Sequence, residues 1–336
     1  MSQNRLTCSV AIATYKGAKY ITEQLRSIEE QTVRPDEVII CDDVSPDDTV
    51  QTIRNYMQHS KMNIKLYTNE TNLGFRKNFE KAISLCTKDI VFVSDQDDVW
   101  TKDKVEIILS YYDQDPDLVY AFSDASVTDS NLNLQHDSIW QYYNIQWDQL
   151  DARSYFHNAQ TRIIPLGFST SARRDFLVEI FPFQADHDAW IAMCAPIFGN
   201  IKAIDKKLVF YRRHSNSTSS AGKEAAKSRW VWIRNLFTTN YQRYFVYPDL
   251  EYRTFSCVMD YAKKYKNDFY TTLLQGQVSY LETINGAKDR NFIDRITALN
   301  KLRKNGLYAQ YRGNIKTFLF DCAFMFINAM KRKKNR

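Results

Sequence analysis

The sequence lacks long apolar runs. No stretch of its 336 residues reaches the ~18 consecutive apolar residues of a membrane-spanning helix. The N-terminal segment MSQNRLTCSVAIATYKG also lacks the basic part and apolar core of a secretory signal. We therefore expect no membrane-spanning segment and no signal peptide, and a protein that works in the cytoplasm.

The six cysteines include no C-x-x-C pair, and several stand inside apolar runs. This distribution favours buried, reduced thiols over a disulfide framework or a zinc site. Internal repeats and low-complexity tracts are absent too. With 44% hydrophobic and 25% charged residues, the composition is that of a globular protein.

The charge of the chain is only mildly unbalanced. The net charge is +6, and basic residues are concentrated in KRKKNR at 331–336. Such a balance fits an anionic membrane surface or a phosphate-rich small molecule as well as nucleic acid. Charge alone therefore does not choose the partner.

The first 125 residues alternate short β-branched apolar runs with amphipathic segments. This pattern is typical of a parallel sheet wrapped by helices. Between the runs, apolar residues recur at helical spacing. Four such crossovers in a row predict an α/β fold, with strands at 7–13, 37–41, 63–67, 90–93 and 118–122.

The segment SPDDT, at 45–49, has the residues of a helix start. Ser45 is a suitable N-cap, Pro46 suits the first helical position, and carboxylates follow in the first turn. The segment therefore predicts a helix that begins at Pro46.

Regularity is lost between 126 and 185, where polar and aromatic sequence predicts loops and short helices. A last strand is predicted at 207–211, and long helical patterns with few Gly or Pro fill the chain after Gly222. We therefore predict an α/β domain at 1–225 and a helical C-terminal region at 226–336.

Two segments of this C-terminal region, RWVWIRNLF at 229–237 and TFLFDCAFMFINAMKRKKNR at 317–336, join apolar and aromatic positions to basic residues. The pattern is typical of a helix in a membrane interface. It is equally typical of a helix that packs on its own domain, and both interpretations stay open.

Acidic or hydroxyl residues follow three of the predicted strands, at 14–15, 42–43 and 95–98. In open α/β sheets, ligands bind beyond the carboxyl ends of the strands. Any one of these groups could be a solvated turn, but three together predict a binding site.

The densest group lies in VSDQDDVW, where Asp95, Asp97 and Asp98 crowd the end of a buried strand. Like charges this close raise each other's pKa, so the cluster is most stable when a cation or a ligand hydroxyl shares the charge. An EF-hand is excluded, because Val99 and Trp100 occupy positions that need a ligand and a glycine.

A Rossmann dinucleotide site is excluded as well, because the first strand leads into TYKGAKY with a single glycine. Hard oxygen ligands at one strand end suit Mg²⁺ or Mn²⁺, which complete their shell with phosphate oxygens and water. The cluster therefore predicts a metal shared with a diphosphate.

Five motifs occur in order: ATYKGAKYITEQLRSIEEQT, VIICDDVSPDDT, TNLGFRKNFEKAI, VFVSDQDDVW, and DHDAW followed by YRRHSNSTSS. Over about residues 5–222 they resemble the family 2 glycosyltransferases of GT-A fold, particularly the bacterial rhamnosyltransferase-like branch. The resemblance implies a Rossmann-like mixed sheet flanked by helices. It also implies inverting transfer of a sugar from a nucleoside diphosphate sugar to a hydroxyl, with Mn²⁺ or Mg²⁺ on the diphosphate.

The resemblance assigns roles at the nucleotide. Asp43 would accept a hydrogen bond from a pyrimidine imide, which favours a UDP- or dTDP-sugar. The other residues expected to bind the nucleotide sugar are Thr14 and Tyr15 near the base, Arg76 near the base or phosphates, Asp95 near ribose or sugar hydroxyls, and Gln96.

The resemblance also assigns the reacting groups. Asp97 and Asp98 would hold the metal, with His214 near the diphosphate or metal. Asp188 would be the general base that takes the acceptor proton on the face opposite the leaving diphosphate. Taken alone, Asp188 equally suits the first turn of a helix, and His214 equally suits a structural role.

Some residues depart from the family pattern or stay ambiguous. Gly167–Thr170 replaces the Gly-Cys-Thr loop of many relatives, which puts the acceptor contacts in doubt. His187 precedes Asp188 where a Glu is common, and His187 could orient that acid. Arg212 and Arg213 could contact phosphates, although basic residues at a strand end are commonly surface residues.

The sequence thus predicts a transferase of bacterial cell-surface polysaccharide synthesis, with a glycan or lipid-linked saccharide as acceptor and no nucleic-acid partner. Two alternatives stay open. A nucleotidyltransferase has a similar sheet, but no Gly-rich basic loop follows the first strand here. A non-catalytic nucleotide-sugar-binding protein is the other.

Overall fold

The computed structural model describes residues 5–143, 165–214, 241–287 and 292–307. The chain divides into two compact units, Met1–Ser217 and Thr218–Arg336. The boundary predicted at 225, and the segments 229–237 and 317–336, lie outside the described residues.

The first unit has the expected alternation of strands and helices, which confirms the α/β prediction. In chain order its elements are β1 (Cys8–Thr14), α1 (Ile21–Glu29), β2 (Glu37–Asp42), α2 (Thr49–His59), β3 (Ile64–Thr68), α3 (Phe75–Ser84), β4 (Ile90–Ser94), β5 (Val99–Trp100), α4 (Lys104–Gln114), β6 (Leu118–Thr128), β7 (Leu134–His136), α5 (Ile139–Tyr142), β8 (Thr170–Arg173), α6 (Arg174–Glu179), α7 (His187–Phe198) and β9 (Asn200–Arg212).

These strands form one mixed sheet in the order β3-β2-β1-β4-β8-β6-β9-β5, with β7 paired to β6. The first four strands are parallel, and β8 is antiparallel to both of its neighbours. The register pairs Thr14 with Asp42, Asp42 with Thr68, and Ile12 with Ser94. The carboxyl ends of β1, β2 and β4 therefore meet at one edge.

The core lies on the faces of this sheet. Strands β1, β2 and β4 are buried almost throughout, because helices cover a parallel sheet on both sides. Helix α1 contributes Ile21, Leu25 and Ile28, which are three and four residues apart and fully buried. This rigid core fixes the strand ends from which the polar loops leave.

The predicted helix start at Pro46 is wrong, since α2 begins at Thr49. The Asp42 carboxylate binds the segment before the helix. It accepts hydrogen bonds from the Ser45 amide, at 2.9 Å, and from the Ser45 hydroxyl, at 2.5 Å. With its hydroxyl donated to Asp42, Ser45 belongs to a tight turn rather than to the helix cap.

The predicted strand at 118–122 continues to Thr128, and the one at 207–211 begins at Asn200. The first extension was missed because it contains polar residues, which do not look like a buried strand. One of them, Asp124, is nevertheless buried, since it accepts hydrogen bonds from the Ala125 and Trp140 amides and the Ser138 hydroxyl. Strands β7 and β8 and helix α7 also lie in or beside the region predicted as irregular.

The second unit is helical, as predicted. Its described helices are α8 (Tyr241–Lys264), α9 (Asp268–Ala287) and α10 (Phe292–Lys304). Val258, Leu274 and Leu299 are among its buried apolar residues. Across the described ranges of the chain, no helix combines the length and apolarity needed to cross a bilayer.

Candidate active site

Asp95, Asp97 and Asp98 form an acid cluster directly after β4. One carboxylate oxygen from each lies within 4.8 Å of the others. Asp98 is fully buried, and Asp95 and Asp97 are partly exposed. The structure therefore adds Asp95, assigned from the sequence to sugar hydroxyls, to the group predicted to hold a metal.

The cluster is electrostatically strained. Loss of hydration, followed by the charges of Asp97 and Asp188, raises the pKa of Asp95 to about 7. Burial, followed by the charges of Asp97 and Asp95, raises the pKa of Asp98 well above its ordinary value. Without a further positive charge, the cluster therefore holds protons that isolated aspartates would release.

The two oxygens of the Asp98 carboxylate have different surroundings. Its Oδ1 accepts the Arg212 main-chain N–H at 2.9 Å. Its Oδ2 is buried and has no hydrogen-bond partner among the described residues. A buried oxygen without a partner is rare in folded proteins. Together with two neighbouring carboxylates it fits a hard divalent cation such as Mn²⁺ or Mg²⁺.

Lys104 lies buried beside the cluster. Its Nζ donates to the Phe168 carbonyl at 2.9 Å and lies 4.0 Å from the centre of the Trp100 ring. Burial lowers the pKa of Lys104 to about 7, although the charges of Asp98 and Asp95 oppose that shift. A buried amino group and a cluster of carboxyl groups thus lie together with pKa values shifted in opposite directions, which is typical of functional sites.

Asp188 lies in the first helical turn of α7, as the sequence allowed. Its Oδ1 accepts the Ala189 N–H at 2.7 Å, and its charge contributes to the raised pKa of Asp95. The predicted base and the acid cluster therefore lie in one electrostatic neighbourhood.

His187 is buried against the Phe79 ring, with ring centres 4.0 Å apart. A Cβ at Gly167 would lie 2.4 Å from Nε2 of His187, so the ring needs glycine there. Burial lowers the pKa of His187. His187 therefore packs between α3 and the turn before β8.

Asp43 holds the loop between β3 and α3. Its Oδ1 accepts Asn69 Nδ2 at 2.8 Å and the Leu73 N–H at 2.7 Å, and its Oδ2 accepts the Gly74 N–H at 2.9 Å. Gly74 has a φ of +79°, which favours glycine. Because each carboxylate oxygen has two acceptor positions, one position remains, on Oδ2.

Arg76 follows at the start of α3. Its side chain is partly exposed and makes no hydrogen bond or ion pair with the described residues. Arg76 thus stands two residues after Gly74, whose N–H binds Asp43.

The turn after β2 adjoins Thr14. The Thr14 hydroxyl donates to Asp42 Oδ1 at 3.0 Å, and the Lys16 N–H donates to the Ser45 hydroxyl at 3.0 Å. Val44, between them, has a φ of +61° and is exposed. A β-branched residue in this conformation is strained, and such strain concentrates at ligand sites.

Gln96 ties the loop after β4 to the loop after β1. Its Oε1 accepts the Tyr15 N–H, and its Nε2 donates to the Tyr15 carbonyl, each at 2.9 Å. A Cβ at Gly17 would lie 2.2 Å from Oε1, so glycine makes this contact possible. The Tyr15 ring, 42% exposed, is left free of this tie and can stack on a flat ligand.

His214 reaches the cluster: its Nε2 lies 2.8 Å from Asp97 Oδ2. Its ring centre is 4.9 Å from that of Tyr20. The structure thus brings His214 to a predicted metal ligand.

The Arg212 guanidinium is buried and bonded to protein acceptors. Its three nitrogens donate to the Asp97 carbonyl, the Ser130 carbonyl and the Glu23 carboxylate. The side chain is 2% exposed. The structure thus engages the guanidinium with protein acceptors, and phosphate contact by Arg212 or Arg213 stays a prediction.

Two glutamines, one in α1 and one just after it, hydrogen-bond residues on either side of the acid cluster, and the sequence pattern did not reveal either contact. Gln24 is fully buried and contacts Ser94 Oγ at 2.5 Å. Gln31 donates to the Thr101 carbonyl at 2.7 Å and accepts the Val105 N–H at 3.0 Å. Their position in the motif EQLRSIEEQT was the only available signal.

The mixed sheet, with its polar loops at one edge and an acid cluster after β4, places the chain in the class of GT-A-fold proteins. The family model for glycosyl transferase family 2 matches residues 9–179. The chain belongs to this family and is a glycosyltransferase.

Related proteins agree with this assignment. An uncharacterized glycosyltransferase of Nostoc sp. is 26% identical over 231 residues, 66% of this chain and 70% of that protein. The dTDP-rhamnosyl transferase RfbG of Shigella flexneri is 38% identical over 100 residues, 28% of this chain and 34% of that protein. A match to Escherichia coli chondroitin synthase spans 19% of that protein.

Residues 1–349 of S. aureus TarS, crystallised with UDP-GlcNAc, share the fold. The TM-score is 0.55 and the identity 16%, with coverage of 98% of this chain and 93% of that one. The GT-A prediction, with its helical C-terminal region, is confirmed.

Proposed function

We propose that the chain transfers a sugar, with inversion, from a UDP- or dTDP-sugar to a hydroxyl of a glycan or lipid-linked acceptor, with a divalent metal on the diphosphate. The observation that carries this proposal is the acid cluster. Three carboxylates lie within 4.8 Å, and one buried oxygen has no partner among the described residues. Asp188 lies close enough to raise the pKa of Asp95.

The hydrogen bonds of Asp43 support a pyrimidine donor. Its carboxylate has one acceptor position left after binding Asn69, Leu73 and Gly74. A uracil or thymine imide offers a single N–H donor, which this position can accept. Guanine offers two adjacent donors and would need both oxygens. The match to a protein named as a dTDP-rhamnosyl transferase fits the same choice.

Around the base, the Tyr15 ring would stack on it and Thr14 would line the pocket through its backbone. Arg76 would contact the base or phosphates from the start of α3. Gln96 would hold the Tyr15 main chain in place.

At the reacting centre, Asp97 and Asp98 would hold Mn²⁺ or Mg²⁺, with Asp95 and His214 beside them. When bound, the metal would neutralise charge on the leaving diphosphate. Asp188 would accept the proton of the acceptor hydroxyl as the oxygen attacks the anomeric carbon from the opposite face. The buried Lys104 would add positive charge beneath the cluster.

The setting we propose is cytoplasmic synthesis of a bacterial surface polysaccharide. The five described cysteines are all free, in keeping with a reducing compartment. Residues 1–225 would form the catalytic domain, and 226–336 a helical region that contacts a membrane surface or a partner.

The test measures release of nucleoside diphosphate from UDP-, dTDP- and GDP-sugars with Mn²⁺, Mg²⁺ or EDTA. We expect turnover of one pyrimidine donor with metal only, and loss of that turnover in Asp97→Ala. Asp113→Ala, an exposed acid on α4, is the matched control and should behave as wild type.

Other outcomes would contradict the proposal. Turnover that persists in EDTA would show that the reaction needs no metal. A preference for GDP-sugars would contradict the role proposed for Asp43. Pyrophosphate release from a nucleoside triphosphate and a sugar phosphate would identify a nucleotidyltransferase. Binding of one donor without any turnover, in the presence of acceptor extracts, would identify a non-catalytic binding protein.

A further inference from the structure

Arg212, the last residue of β9, makes an unusual set of contacts for a buried arginine. Its main-chain N–H donates to Asp98 Oδ1 at 2.9 Å, and its Nε donates to the Asp97 carbonyl at 2.7 Å. One residue thus binds both the backbone and a side chain of the acid cluster. It reaches them from a strand 114 positions further along the chain.

The rest of the guanidinium is anchored on two other segments. Nη1 donates to the Ser130 carbonyl at 2.7 Å, and Nη2 pairs with the Glu23 carboxylate of α1. The guanidinium carbon lies 4.5 Å from the centre of the Tyr20 ring. The planar fork of arginine, with donors in fixed directions, suits such a junction better than a lysine does.

The choice of atoms matters for the cluster. Arg212 binds the loop through the Asp97 carbonyl and leaves both Asp97 carboxylate oxygens to other partners. At Asp98 it occupies Oδ1 alone, and Oδ2 stays buried without a partner among the described residues. The contacts therefore fix the main chain at Asp97 and the direction of the Asp98 carboxylate, and they leave Asp98 Oδ2 to face a cation.

We propose that Arg212 is a positioning residue for the metal site: it holds the 97–98 segment so that Asp97 and Asp98 present oxygens to the same cation. This inference rests on the proposed function, which supplies the metal. Glu23 is the anchor that fixes the guanidinium in turn. A positioning role and a purely electrostatic role predict opposite changes in metal affinity when the Arg212 side chain is removed.

The sign follows from Coulomb's law. If Arg212 acted only as a nearby positive charge, it would repel a divalent cation, and its removal would tighten metal binding. If Arg212 positions the ligands, its removal weakens metal binding, although a repelling charge has been taken away. The two roles are therefore separated by one measurement that needs no turnover.

The experiment titrates the purified full chain with Mn²⁺ alone, by electron paramagnetic resonance of the free ion, in wild type, Arg212→Met, Arg212→Lys and Glu23→Ala. We expect Kd for Mn²⁺ to rise about 10-fold or more in Arg212→Met, within the range seen when groups that orient metal ligands are lost. Arg212→Lys keeps the charge but loses the fork, so it should rescue little. Glu23→Ala should show a smaller rise, about threefold.

Arg54→Met, which removes an exposed arginine of α2, is the control for total charge and should leave Kd unchanged. Circular dichroism and thermal melting establish that each variant is folded. If Arg212→Met does not fold, Arg212→Lys and Glu23→Ala carry the test, because lysine keeps the buried charge and Glu23→Ala keeps the other three Arg212 hydrogen bonds.

Hydrogen exchange of the metal-free chain gives a second readout. Amides in the loop after β4 should lose protection in Arg212→Met, while those of β1 and β2 keep theirs. Unchanged or tighter Mn²⁺ binding in folded Arg212→Met, or full rescue by lysine, would overturn the inference and leave the proposed function standing. A wild-type chain that binds no Mn²⁺ would overturn both.

Discussion

The two ends of the site are built in opposite ways. At the proposed nucleotide end, Asp42 and Asp43 accept main-chain and side-chain hydrogen bonds from the loops around them, so these carboxylates serve the fold itself. At the reacting end, Asp95 and Asp98 have raised pKa values, and one oxygen of Asp98 is buried without a partner among the described residues. At the first end the chain supplies all but one of the hydrogen bonds that Asp43 can accept, whereas the second end is arranged for a partner that the chain does not supply.

This contrast predicts different consequences of mutation. Changes at the nucleotide end should affect donor binding and stability together, because the same carboxylate, that of Asp43, would serve both. Changes at the acid cluster should lower activity and raise the stability of the metal-free chain. Trade-offs of this kind are expected where a site stores repulsion for function.

The largest expected effect is that of Asp188→Asn. It removes the proposed base and keeps the size of the side chain and its acceptor for the Ala189 amide. We expect kcat to fall by about 10³-fold, within the range for loss of a general base, with the Kd for Mn²⁺ and for the donor unchanged. Steady-state kinetics of nucleoside diphosphate release measures this, with Asp113→Asn as control. A change in donor Kd with kcat intact would place Asp188 in binding instead.

Asp43→Asn should have the next largest effect, at the opposite end of the site. An amide group would place a donor against the Gly74 N–H or the base, so the loop at 69–74 should loosen. We expect the donor KM to rise by about tenfold and the free energy of unfolding to fall by about 2 kcal/mol. Kinetics and urea unfolding measure the two effects. If only one of them changes, the coupling proposed for this end is wrong.

Asp95→Asn should show the stability cost of the cluster. The pKa of Asp95 is raised to about 7. Between about pH 4 and pH 7 the folded chain therefore keeps a proton that the unfolded chain releases, and this group's contribution to the free energy of unfolding falls as pH rises. Asn has no carboxyl group to ionise, so the Asp95→Asn variant does not lose this stability as the pH rises.

The metal-free variant should therefore melt above wild type, by a margin that grows from pH 5 to pH 8 to about 2–4 °C, equivalent to about 1 kcal/mol. Saturating Mn²⁺ should reduce or reverse the margin, because wild type binds the ion more tightly. Melting curves at several pH values, with Asp113→Asn as control, provide the measurement. A margin that does not vary with pH would contradict the account.

The smallest expected effect is at the tie between Gln96 and Tyr15. Gln96→Ala removes two hydrogen bonds, and we expect the donor KM to rise about threefold. Gly17→Ala should act through the same tie, because its Cβ would displace the Gln96 side chain. The double variant should thus be no worse than Gln96→Ala alone. Additive effects in this cycle would show that Gly17 acts through another contact.

Much of the fold was predictable because its signals are local. The parallel strands are apolar runs with helical patterns between them, and the acid cluster is contiguous in sequence. The parallel register then carries 14–15, 42–43 and 95–98 to one edge without further information.

What sequence reasoning missed depends on tertiary contacts. Lys104 and Arg212 are charged residues in polar sequence, and composition places such residues at the surface, yet both are buried. The partners that make their burial possible, such as the Phe168 carbonyl and Glu23, are distant in sequence. The second half of β6 was missed for the same reason. It contains Asp124, whose hydrogen-bond partners lie outside the strand and cannot be read from the strand pattern.

The central claim is that the acid cluster after β4 is a divalent cation site. Crystals of the full chain grown with Mn²⁺ and a nucleoside diphosphate, measured at the manganese absorption edge, test it most directly. The account predicts an anomalous peak between Asp97 and Asp98, in contact with the diphosphate and absent in Asp98→Asn. A bound nucleotide with no peak at these carboxylates, or with a peak elsewhere, would contradict it.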